Sequence, residues 1–274
     1  MRLVKQLAVV VLISLVGSQL TLAMNWNTPL TLLFGFATAV LALLGYRWVV
    51  GRTEHREVTE LSWSGARTAL GRGLLIGLVM FTGVIVNLAL LGDYHVAGWG
   101  SLTGALALFG FTAAAAVTEE LMYRGVLLRI IEGRFGSFAA LGFTALLFGL
   151  SHLLNPHATL WSAIAIAVEA GGMLGAAYIA TRNLWVPIGL HFAWNYAEGG
   201  IFGTQISGKD APQGLLDGVL SGPAALTGGG FGPEASIYSV AAGLIVTIGF
   251  LWLAKRRGHL MPARRTAPAA TLVP

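Results

Sequence analysis

Long apolar runs almost empty of charge recur from one end of the chain to the other. Each is about the length a helix needs to cross roughly 30 Å of hydrocarbon. Hydropathy windows of about nineteen residues place spans at Leu7–Met24, Leu30–Val50, Gly73–Leu91, Leu102–Tyr123, Phe138–Leu154, Leu160–Ala180, Leu184–Gly200 and Ile237–Ala254. The expected fold is therefore all-α, a polytopic transmembrane bundle of about eight spans. A water-soluble fold is excluded: only 11% of residues are charged and mean hydropathy is +0.74, whereas soluble domains carry about 25% charged residues.

The basic residues give an independent test, because cytoplasmic loops gather Lys and Arg. With the N-terminus inside, all of the 17 Lys and Arg except Lys209 fall on the inner side, so both termini are expected in the cytoplasm. The first run also resembles a secretory signal, with Arg2 and Lys5 ahead of an apolar stretch ending at Ala23; its length favours a retained anchor. A prokaryotic cytoplasmic membrane is the expected location, with no nucleic-acid partner despite a pI near 9.9.

The chain divides into spans one to three with a basic loop (1–100), a core of spans four to seven (101–200), and a last section (201–274) with a Gly- and Pro-rich outer loop, one span and a basic tail. Arg52–Arg72 reads as a solvated loop, or else as an interfacial helix. Gly203–Pro233 reads as a long flexible loop, and Met261–Pro274 as an unfolded tail. No internal repeat is evident.

A charge at the bilayer centre costs at least about 2.5–3.5 kcal/mol, so ionisable residues inside spans are candidates for function. The fourth span carries Glu119, Glu120 and Arg124. Glu120 and Arg124 are four apart and share a face, where they can pair; Glu119 lies about 100° round the helix, free to face a cavity. The fifth span ends in His152, and the seventh carries His191 and Asn195, again four apart. Glu169, beside Gly171, Gly172 and Gly175, reads mainly as part of a close-packing face, and Asn87 as a hydrogen bond within the bundle. Apolar packing cannot satisfy two carboxylates, two imidazoles and an amide on three helices. The chain has no cysteine, which removes thiol chemistry and leaves only His and carboxylates as metal ligands.

In order, Glu119-Glu120-x-x-x-Arg124, Phe148-x-x-x-His152 and His191-x-x-x-Asn195 resemble the motifs of the CPBP intramembrane proteases, the CAAX-processing and Abi group. The likeness covers about Leu102–Gly200. It implies an endopeptidase that cuts a membrane-associated or lipidated peptide or protein. Glu119 would activate water while His152, His191 and Asn195 assist at the scissile carbonyl, and Glu120 and Arg124 would hold the helix and tune the field. A carboxylate in low dielectric can serve as a base near neutral pH, and preorganised donors stabilise the oxyanion. A divalent metal such as zinc, held by Glu119, His152 and His191, competes with this scheme, although the chain lacks a His-Glu-x-x-His helix. A proton-coupled transporter and a non-catalytic scaffold or immunity protein of the same family are the alternatives. Counting about 1.5 Å per residue from the inner side puts His191 roughly 10 Å deep, Glu119 about 5–15 Å and His152 about 20 Å, a spread that demands a displaced helix.

Overall fold

A computed structural model describes residues 1–263. The part of the expected tail from Arg264 onward lies outside them. Eight helices carry the fold: α1 (Arg2–Ala23), α2 (Thr28–Glu54), α3 (Ala66–Leu91), α4 (Leu102–Phe135), α5 (Ser137–Leu154), α6 (Leu160–Thr181), α7 (residues 185–201) and α8 (Ile237–Arg256). All but α7 are long and apolar enough to cross a membrane, seven in number among the described residues. The shorter α7 is buried on nearly every face.

The bundle is sorted by burial. In α6, 78% of the most apolar window is buried, against 22% in α1 and 28% in α2, α3 and α8. With no water to expel between them, the helices associate through close packing of small residues. A Cβ on Gly73 or Gly77 of α3 would meet the Val186 or Leu190 carbonyl of α7 at 2.2 or 2.3 Å, and one on Gly189 of α7 would meet the Leu70 carbonyl at 2.4 Å. Gly35 of α2 and Gly110 of α4 form a second such seam, at 2.3 Å.

Three helices contain wide π turns: Leu121–Leu128 in α4, Ala167–Gly172 in α6 and Tyr196–Ile201 in α7. Such turns shift the face a helix presents and often mark functional sites. The fourth helix also continues to Phe135 rather than ending at Tyr123, because Glu132, a charge that would end a span in water, is buried against Arg182 and Ser137.

Three loop expectations need correction. The segment after α2 is neither a solvated loop nor an interfacial helix. Arg56 donates to Glu54 (2.7 Å) and Glu60 (2.7 and 2.8 Å), and Arg129 of α4 donates to Glu54 (2.7 and 3.0 Å). The Tyr46 hydroxyl lies 2.8 Å from both Glu60 Oε1 and the Gly125 carbonyl. Burial raises the Glu60 pKa, but the hydrogen bonds from Arg56 and the others outweigh it and hold the carboxyl below its usual value. Gly203–Pro233 is likewise folded: Leu216–Leu220 (β2) pairs antiparallel with Tyr94–Trp99 (β1), with a bulge between Val96 and Gly98. At the start of the expected tail, Met261 exchanges backbone and side-chain bonds with Ser137. Asn87, expected to bond within the bundle, makes no side-chain hydrogen bond among the described residues.

Candidate active site

Arg124 is buried in the bundle, 1% exposed. Its guanidinium donates to Glu120 Oε1 at 2.7 Å, the four-residue pairing read from the sequence, and to the Ala170 and Gly171 carbonyls at 3.0 and 3.2 Å. Those carbonyls belong to the π turn of α6. The guanidinium also sits 4.6 Å from the Phe148 ring centroid, a cation–π contact that gains strength where water is excluded.

Glu120 in turn accepts from His191 Nδ1 at 2.9 Å. A carboxylate paired with an arginine can only accept, so Nδ1 carries the hydrogen and Nε2 is aimed elsewhere. That atom points to Glu119, with 3.9 Å between His191 Nε2 and Glu119 Oε2. The gap is too long for a direct hydrogen bond and suits a shared water. The same logic orients His152: Nδ1 donates to the Phe148 carbonyl at 2.7 Å, the backbone partner four residues back, leaving Nε2 free.

Two cavities border these residues. The inner one, about 10 Å³, is lined by His152, His191, Asn195, Glu169, Trp194, Ser207 and Glu234 among others; it has room for about a single water. The outer one, about 420 Å³, has Glu119 on its wall together with residues of α1, α4 and the 203–235 segment. The adjacent carboxylates thus divide as their helical angle implies: the Glu119 side chain is 21% exposed and that of Glu120 is fully buried.

Glu119, Glu120, Arg124 and His191 are thus linked, and His191 shares the inner cavity with His152 and Asn195; the 3.9 Å between His191 and Glu119 puts these two at one level, which counting residues along separate helices did not. Glu169 faces the inner cavity, with neither carboxylate oxygen hydrogen-bonded, and the close-packing face expected around it is present: a Cβ on Gly171 would meet Ala145 Cα at 2.8 Å, and one on Gly243 of α8 would meet Glu169 Cα at 2.7 Å. Sequence reasoning missed Ser207, Glu198 and Glu234. Ser207 donates to Glu234 at 2.7 Å, and the Glu234 amide to Glu198 Oε1 at 3.3 Å, tying the outer segment to α7. The one available signal was Glu234, a lone acid in a stretch of Gly, Pro and apolar residues.

The metal alternative does not fit this arrangement. Among the described residues no three His, Asp or Glu side chains are grouped so as to hold an ion. Glu119, His152 and His191 do not form such a set.

Residues 100–197 match the family model described as Type II CAAX prenyl endopeptidase Rce1-like. This part of the chain is similar to that family. The Rce1-like region begins just before α4, ends inside α7 and contains all six residues of the cluster. Its family is one of membrane peptidases, and the rest of the chain supplies the first three helices, the folded outer segment and α8. No curated protein and no solved structure matches the chain.

Proposed function

We propose that the protein is an intramembrane endopeptidase in which Glu119 takes the proton from a water that attacks a peptide carbonyl. The supporting observation is the relay that ends at this carboxylate: the α6 carbonyls fix Arg124, Arg124 fixes Glu120, Glu120 fixes His191, and His191 Nε2 stands 3.9 Å from Glu119 Oε2. A base oriented by a second group that is itself oriented is the usual architecture of an activated nucleophile. The Asn195 amide, on the inner cavity, is the donor for the oxyanion, and His152 Nε2, left with its lone pair because Nδ1 donates to the Phe148 carbonyl, accepts from the attacking water. As the C–N bond breaks, the amine leaving group takes back the proton that Glu119 removed.

The substrate is a membrane-associated or lipidated peptide. The Lys and Arg distribution favours both termini in the cytoplasm, which puts the wider cavity in the outer half of the bilayer.

Purified protein in detergent or liposomes, offered a panel of membrane peptides, tests the proposal. Glu119→Gln and His191→Ala should each lower turnover by about 10²–10⁴-fold while leaving the fold intact, and chelator should change nothing. Activity that survives both substitutions overturns the mechanism.

A further inference from the structure

A single turn of the outer segment borders both cavities. Ser207 lines the inner one, while Lys209 and Asp210, a few residues on, line the outer one. The Lys209 amide donates to the Ile206 carbonyl at 3.0 Å, and between them Ser207 and Gly208 have φ of +50° and +68°, the positive pair of a type I′ turn. A serine is uncommon in that conformation, and its neighbours hold it there. Asn155 Nδ2 donates to the Ser207 carbonyl at 2.7 Å and the His157 amide to the Gly208 carbonyl at 3.3 Å. On the other flank the Gly208 amide donates to the Phe231 carbonyl at 2.7 Å, and the Ser207 hydroxyl to Glu234 at 2.7 Å. The turn is thus wedged between the α5–α6 connection and residues 231–234.

The proposed chemistry has members on both sides of this wedge. Glu119 lines the outer cavity, and Asn195 and His152 line the inner one. A scissile carbonyl has to meet both sets. The inner cavity, however, has room for about a single water, and a peptide group is a rigid plane of C, O and N between two Cα atoms. His152, His191 and Asn195 are all buried. We propose that the Ser207–Asp210 turn is a movable plug, closed in this structure, that withdraws to join the two cavities when a peptide binds; this rests on the peptidase function argued above. Its pins are hydrogen bonds between loop residues, outside any helix or strand ladder, and such segments open at far lower cost than the helices around them. Lids of this kind admit substrate and then exclude bulk water from the reaction.

The chain has no cysteine, so a staple can be added without side reactions. A Cβ on Gly230 would stand 3.7 Å from the His157 Cβ, within the range of about 3.5–4.5 Å that a disulfide spans, and the bridge would tie the two flanks together over the turn. The full-length His157→Cys/Gly230→Cys protein is compared oxidised and reduced, with the two single variants as controls. Cleavage of fluorescein-labelled apolar dodecapeptides is measured, as is their binding by fluorescence anisotropy in a Glu119→Gln background. Oxidation should lower turnover and affinity at least about 10-fold by depleting the open state, reduction should restore both, and the single variants should ignore the oxidant. Asn155→Ala works in the opposite direction. It removes one pin, and a hydrogen bond shifts an equilibrium about 2–10-fold, so peptide should bind more tightly by that factor. Equal binding and turnover in the oxidised and reduced forms, no peptide binding to any form, or unchanged or weaker binding to the Asn155→Ala protein overturns the plug. Wild-type turnover that the staple leaves untouched keeps the peptidase and removes this proposal. Redox-dependent binding without turnover of any peptide does the reverse.

Discussion

His191 Nδ1 lies 2.9 Å from Glu120 Oε1, so the second carboxylate of the Glu-Glu pair aims the imidazole and the first is left to face the outer cavity. Neighbours in sequence thereby take different tasks, one buried against an arginine and the other bordering a cavity.

The relay gives Arg124 a geometric role as well as an electrostatic one. Lys presents a single compact charge and cannot reach both Glu120 and the α6 carbonyls as a planar fork does. Arg124→Lys should lower kcat by about 10²-fold with little change in KM, as measured by steady-state peptide cleavage.

Removing that charge altogether strands Glu120. Arg124→Met should cost about 3–5 kcal/mol, the penalty for breaking a buried pair, and should appear as a drop in Tm. Adding Glu120→Gln should recover most of the stability and none of the turnover, since His191 loses its ionised partner.

Glu169 is buried with both oxygens unpartnered, and an unpaired buried carboxyl is a burden on the fold. Glu169→Gln should raise Tm while turnover stays close to that of wild type. A loss comparable to that of Glu119→Gln would show that Glu169 takes part in the chemistry.

The α3–α7 seam positions His191 from behind. Gly77→Val, which sets bulk where a Cβ alone meets the Leu190 carbonyl at 2.3 Å, should push α7 outward. Lower Tm and lower kcat together are expected, by thermal unfolding and cleavage assay.

The Glu60 carboxyl, held below its usual pKa chiefly because the Arg56 hydrogen bonds outweigh burial, predicts an acid-sensitive end of the bundle. A depressed carboxylate pKa stabilises the fold fully above the unfolded value of about 4.3, and that contribution fades as pH falls through the folded value. Tm should be flat above about pH 5 and decline below about pH 4, with a shallower decline in Glu60→Gln.

The helices were legible because hydropathy depends only on composition along the chain, and the Glu120–Arg124 pair because four-residue spacing survives the bundle around it. The π turns were not, since they depend on contacts from other helices. The expected span ended too early at Tyr123 because nothing local in the sequence shows that Glu132 is buried against Arg182 and Ser137. The outer segment was misread for a related reason. Its Gly and Pro residues signal loops, and only pairing with β1 and the bonds from Ser207 and Glu234 show that it is folded.

The inner cavity has room for about one solvent molecule, and hydrolysis consumes one per cycle. An enzyme buried in oil must therefore restock its second reactant between turnovers, and the lumen bordered by Glu119 is one store for it. Its speed limit would then be set by plumbing as much as by bond cleavage.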